Sequence, residues 1–132
     1  MTFQTALRAG LIGLALSTGA ASVLAGAADY EFQPLNVDVK NGAGSEFAVR
    51  LVHKPTGKPV PGAVLFRTRL DMAPDNMADM MAKHEAMPAS EPGVYAFKAD
   101  LTMAGGWAFR IMAKVPGEAE TVEGVVVFRA KD

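Results

Sequence analysis

The chain contains no cysteine and only two histidines in 132 residues. The lack of cysteine excludes disulfides, thiolate metal sites and a cysteine nucleophile. Acidic and basic side chains are nearly balanced, 14 against 13, and there is no basic stripe, so no nucleic-acid partner is expected. Neither histidine adjoins a nucleophile motif, and no three histidines or carboxylates have the spacing of a hydrolytic metal site. The sequence therefore predicts a protein that is not an enzyme.

Apolar residues are abundant at 50 % of the chain, enough for the core of one domain of this length. Short segments with alternating apolar residues recur about every ten residues, separated by turns rich in Pro and Gly. This pattern predicts an all-β fold, a single β-sandwich of about seven strands with a Met-rich connecting segment. The predicted core comprises Phe47, Val49, Leu51, Phe66, Tyr95, Phe97, Trp107, Phe109 and Ile111.

The N-terminal segment has the organisation of a secretory signal peptide. Residues 1–27 carry a single charge, Arg8, followed by an apolar run at residues 11–16 and then by Ala-Gly-Ala at residues 25–27. We expect cleavage after residue 27, which leaves a periplasmic domain of residues 28–132 with no stable membrane anchor. The alternative is an uncleaved N-terminal anchor, although the apolar run is short for a spanning helix.

The Met-rich segment, residues 72–87, holds five of the seven methionines that follow Met1. Thioether sulfur is a soft, neutral ligand that selects Cu(I) over hard cations, and imidazole suits copper as well. A Met/His set binds copper without cysteine, which suits an oxidising compartment. Residues 74–76 can begin a helical turn, and a helix over residues 76–87 would align four candidate ligands on one face, namely Met77, Met80, Met81 and His84.

Packing is the competing interpretation of the same methionines. Methionine fills irregular gaps in cores, and the predicted stripe would then be the buried face of a short helix covering the sandwich. The segment contains no Leu or Ile, the residues that packing more often uses. Two other candidates have simpler roles: His53 is predicted to lie in a surface turn, and Trp107 to anchor the core.

Three parts of the chain resemble a known family. They are LVHKPTGKPVPGAV at residues 51–64, PGVYAFKADLTMAGGW at residues 92–107, and the closing strand at residues 121–129. Together with the Met-rich segment they resemble the FixH-like/YtkA-like family of exported immunoglobulin-like domains, over residues 47–128. The resemblance implies an immunoglobulin-like sandwich and a link to copper handling and copper-oxidase assembly. FixH proper usually keeps an N-terminal membrane anchor, from which the apparently cleavable signal departs.

An immunoglobulin-like topology adds an argument about the ligands. The connections that follow residues 60–70 and residues 94–101 would leave the same end of the sandwich, so Met72 and Met103 could approach each other. The full candidate set for Cu(I) is Met72, Met77, Met80, Met81, His84 and Met103.

The sequence therefore predicts a periplasmic Cu(I)-binding protein that acts as a carrier, buffer or delivery factor. Its partner would be a copper-handling protein or a metalloenzyme-assembly factor. The alternative is a metal-free immunoglobulin-like interaction module, accessory to an efflux or copper-oxidase assembly complex. Accessible methionines favour the first function, and buried methionines are compatible with the second.

Overall fold

A computed structural model describes residues 27–132. The predicted signal peptide lies outside this part of the chain, except for Ala27. Short 3₁₀ turns occupy Ala27–Asp29 and Ala73–Asp75, and no helix in the part described is long and apolar enough to cross a membrane. The strands are β1 (Tyr30–Pro34), β2 (Asp38–Lys40), β3 (Gly42–His53), β4 (Lys58–Pro59), β5 (Val64–Met72), β6 (Met77–Met81), β7 (His84–Met87), β8 (Val94–Leu101), β9 (Gly105–Lys114) and β10 (Val122–Lys131).

The strands form two sheets that pack face to face. The first sheet has the order β1-β3-β8-β7, with β4 pairing β3, and the second has the order β2-β10-β9-β5-β6. All pairings are antiparallel except that of β2 with β10. In immunoglobulin terms, β1-β3-β8-β7 follows the order A-B-E-D and β10-β9-β5-β6 follows the order G-F-C-C′. The all-β sandwich predicted from the sequence is confirmed.

The core lies between the sheets and is dominated by aromatic rings. Phe97 and Phe109 stand 4.7 Å apart between ring centroids, and Phe47 lies 5.0 Å from Phe109 and 4.8 Å from Phe128. Such offset and edge-on pairs add to the stabilisation that burial already gives. Trp107 is fully buried beside them, which confirms its predicted role as a core anchor.

The predicted core holds with one error, at Phe66. This side chain is half exposed, because β5 carries a bulge: Leu65 pairs with Ala113 and the next paired residue is Arg67, opposite Met112. Phe66 is left without a partner in the ladder, and the alternation beyond it shifts by one residue. Tyr95 is only half buried, and its hydroxyl donates a hydrogen bond to the Val60 carbonyl at 2.7 Å.

Candidate metal centre

The Met-rich segment does not form the predicted helix. After the single 3₁₀ turn, Asn76 adopts a left-handed conformation with φ of 61°, and the chain continues as β6 and β7. The edges of both sheets offer ladder hydrogen bonds to this segment, and these override the helix preference of its Met, Ala, Lys and Glu residues. The prediction of a helix over residues 76–87, and of one helical face shared by its methionines and His84, is therefore wrong.

A bulge in β6 brings the backbone of Met77 and Met81 to the same end of β5. Met77 pairs with Met72, whereas Met81 pairs with the preceding residue of β5, Asp71. Between these two pairs the chain advances four residues along β6 and only one residue along β5. Residues 78–80 therefore bulge out of the ladder. The bulge is fastened by Arg69, whose Nη2 donates to the Ala78 carbonyl at 2.8 Å. Met77 and Met81 consequently both lie at the C-terminal end of β5.

The connection that carries Met103, residues 102–104, lies at this same end of the sandwich. The Gly106 N–H donates to Asp75 Oδ2 at 3.1 Å, which joins the start of β9 to the 3₁₀ turn after β5. The Trp107 indole Nε1 donates to the Met103 carbonyl at 3.1 Å and fixes the backbone of the connection. Met72 Cε lies against Gly105, 2.9 Å from the position a Cβ would take there. The β5–β6 and β8–β9 connections therefore meet.

Exposure divides the candidate ligands into two groups. Met72 is 0 % exposed and belongs to the core, and Met77 is half buried and packs against it. By contrast, Met80, Met81 and Met103 are 36 %, 56 % and 39 % exposed. Three candidate thioethers therefore face solvent, and two take part in packing.

His84 bridges the two sheets at their open edge. Its Nδ1 lies 3.3 Å from the Ala82 carbonyl, which can only accept, so Nδ1 carries the proton. Nε2 then accepts a 2.7 Å hydrogen bond from the Thr68 hydroxyl on the opposite sheet. The ring also stands edge-on to Phe109, with centroids 5.4 Å apart. The imidazole lone pair is thus available to a metal only when Thr68 releases it.

The donor set favours a soft metal ion. Within residues 27–132 no group of three or more His, Asp or Glu side chains is arranged to hold a metal ion. What the end of the sandwich offers instead is thioether sulfur, with one imidazole nearby. Neutral sulfur ligands fit Cu(I) and do not suit Mg²⁺ or Ca²⁺.

A buried carboxylate beside this site escaped the sequence analysis. Asp71 is 1 % exposed, and its Oδ2 accepts hydrogen bonds from Arg69 Nε at 2.8 Å and Arg110 Nε at 3.0 Å. Its Oδ1 accepts from the Ala73 N–H at 3.0 Å, which holds the 3₁₀ turn. Arg69 and Asp71 are two residues apart, so in a strand they lie on the same face, and this spacing was the signal available in the sequence. The spacing does not identify Arg110 as the second partner.

Gly105 tests how closely the two connections pack. Its φ is +138°, and an added Cβ would collide with Asp75 Oδ2 and approach Met72 Cε. Asp75 Oδ2 accepts a hydrogen bond from the Gly106 N–H, so it cannot move aside without losing that bond. Gly105→Ala is therefore expected to destabilise the fold by more than the roughly 1–3 kcal/mol of backbone strain alone, as measured by urea unfolding. Gly42→Ala is the matched control, because Gly42 has φ of +137° with no atom within 4 Å of the added Cβ. Equal losses in the two variants would contradict the close approach.

A model of the YtkA-like family matches residues 24–112, well over half of the chain. The curated proteins contain no match to it.

Proposed function

The chain belongs to the YtkA-like family, and from that premise we propose that it is an exported accessory protein that binds Cu(I) in the periplasm. It acts as a carrier, buffer or delivery factor, and the proposal includes no catalytic step. Family membership supports the exported accessory role but does not by itself imply that the protein binds a metal. The copper part of the proposal rests on the side chains themselves.

The observation that carries the proposal is the exposure of Met80, Met81 and Met103 at the end of the sandwich where two connections meet. A packing role accounts for Met72 and Met77, which are buried or half buried. Met80, Met81 and Met103 do not share that role, because they are exposed. Exposure suits thioether coordination, since a ligand that must take up and release a metal has to be reachable.

In this proposal the methionines and His84 have different roles in the copper site. Met80, Met81 and Met103 supply exposed thioethers, and Met77 lies at the margin of the core as a further donor. Met72 supports the site from beneath through its contact with Gly105. His84 can add a nitrogen donor when Thr68 gives up its hydrogen bond. Exposed ligands also allow transfer, since a copper-handling partner can replace them one at a time.

A competition titration against a chromophoric Cu(I) chelator, under anaerobic reducing conditions, tests the proposal. We expect uptake of about one Cu(I) per chain, and uptake that persists at pH 5 because thioethers have no proton to take up in this range. Binding that depended mainly on imidazole would weaken over the same interval. If the protein takes up no Cu(I), the proposal fails and the metal-free interaction module is the better description.

A further inference from the structure

The outer face of the second sheet, formed by β5, β9 and β10, carries a groove that the proposed copper site does not use. Its volume is about 460 Å³. Three of its lining side chains are arginines and only one is acidic. The lining includes Arg67, Arg69, Arg110, Met112, Glu123 and Val125.

Two of these arginines are held in an arrangement that is unfavourable on its own. Arg69 and Arg110 lie directly opposite each other on β5 and β9, and like charges in such a pair repel. Asp71 offsets the repulsion from its buried position between them, because both Nε atoms donate to the same carboxylate oxygen. A buried charge is rarely a source of net stability compared with apolar packing. One buried carboxylate thus holds two guanidinium groups side by side.

The hydrogen bonds to Asp71 leave other donors of Arg110 free. They use the Nε atoms, and within residues 27–132 the terminal Nη groups of Arg110 have no hydrogen-bond partner. Arg67 makes no ion pair within the same range. A planar guanidinium already oriented in this way is suited to bidentate recognition of a carboxylate.

Apolar side chains adjoin the arginines on the same face. Val125 pairs with Arg110 in the ladder and Val127 pairs with Ala108, so both valines project from the outer face. Each valine is about half exposed. Exposed apolar groups beside arginines are typical of a protein-binding surface.

We propose that this face docks an acidic segment of a partner protein in which carboxylates alternate with apolar side chains. The carboxylates bind Arg67 and the free Nη groups of Arg110, and the apolar side chains pack on Val125 and Val127. This inference does not depend on copper binding.

Charge argues against the other occupants of the face. A second copy related by two-fold symmetry would bring the same arginines against each other. An anionic membrane presents its charge over a flat surface and would meet Glu123 together with the arginines, whereas a peptide can place single carboxylates on Arg67 and Arg110. An acidic peptide complements the arginines locally and buries the valines.

The test uses a fluorescein-labelled heptapeptide of alternating Glu and Val, and the same peptide with Lys in place of Glu. We expect anisotropy to report binding of the acidic peptide only, and amide shifts of the ¹⁵N-labelled protein to fall on β5, β9 and β10. Arg67→Glu is expected to weaken binding at least about tenfold, because it replaces attraction by repulsion at an exposed position. Lys54→Glu makes the same change of charge in a turn outside the groove and should leave affinity unchanged.

Several results would overturn the proposal. One is the absence of binding by the acidic peptide at millimolar concentration, and another is a set of shifts away from the three strands. Equal affinity of the Arg67→Glu and Lys54→Glu variants would also do so. Co-sedimentation with phosphatidylglycerol vesicles that Arg67→Glu abolishes, without peptide binding, would assign the face to lipid. Dimerisation that Val125→Glu abolishes would assign it to a second copy.

Discussion

Replacing Asp71 by Asn is expected to lower the free energy of unfolding by about 2–3 kcal/mol, because folding lowers the pKa of this carboxyl from 3.8 to about 2 and each pKa unit corresponds to about 1.4 kcal/mol. Asn offers a single neutral acceptor to two guanidinium groups, and Arg69 and Arg110 are left opposite each other without the charge that compensates them. The Ala73 N–H also loses a charged acceptor, so the 3₁₀ turn loosens. Urea unfolding at neutral pH measures the change.

Asp38→Asn is the matched control. The Asp38 carboxylate also pairs with a cation, Lys131 Nζ at 3.3 Å, but its side chain is 57 % exposed. Exposed pairs contribute little, so this variant should lose less than about 1 kcal/mol. Should both variants lose stability equally, Asp71 would not be acting as a buried charge.

The Asp71 carboxylate also contributes to the way the free energy of unfolding changes at acidic pH. Burial raises the pKa of Asp71, but hydrogen bonds from Arg110, Arg69 and the Ala73 N–H, with the charge of Arg110, outweigh it and lower the pKa from 3.8 to about 2. Because the folded-state pKa lies below the unfolded one, the stabilisation is present above about pH 4 and is lost as pH falls towards 2. The difference in unfolding free energy between the protein and its Asp71→Asn variant should therefore shrink between those pH values.

Sequence periodicity was enough to predict the sandwich but not its irregularities. Alternation along β3, β8 and β9 placed Phe47, Phe97 and Phe109 correctly, because regular strands project every second residue to one face. The prediction that Phe66 is buried was wrong because the bulge in β5 depends on how β5 and β9 align across the sheet. That alignment is a non-local property, which the local spacing of apolar residues does not contain.

The site shows the same division between local and non-local information. The sequence identified the methionines as neighbours on a helix, but the β6 bulge, and not a helix, brings the backbone of Met77 and Met81 to the same end of β5. Spacing fits a helical face for Met77 and Met81, whereas the sheet edge supplies the hydrogen bonds that decide the outcome. Asp71 was missed because its partner Arg110 lies 39 residues further along the chain.

Replacing Met80, Met81 and Met103 together by Leu is expected to weaken Cu(I) binding by at least about 100-fold, since loss of outer-shell partners alone costs roughly 10–100-fold in metal sites. Leucine preserves volume and removes only the soft donor, so the fold should lose less than about 1.5 kcal/mol at each position. Chelator competition measures the affinity, and urea unfolding of the metal-free protein measures the stability.

Two single variants separate coordination from packing. Met112→Leu changes a thioether on the outer face of the second sheet, outside the candidate set, and should leave Cu(I) affinity unchanged. Met72→Leu should also leave it unchanged, because that sulfur is 0 % exposed and lies under Gly105. Loss of binding in the Met72 variant alone would mean that the end of the sandwich opens to admit the metal. Retention of full affinity in the triple variant would mean that the exposed thioethers are not ligands.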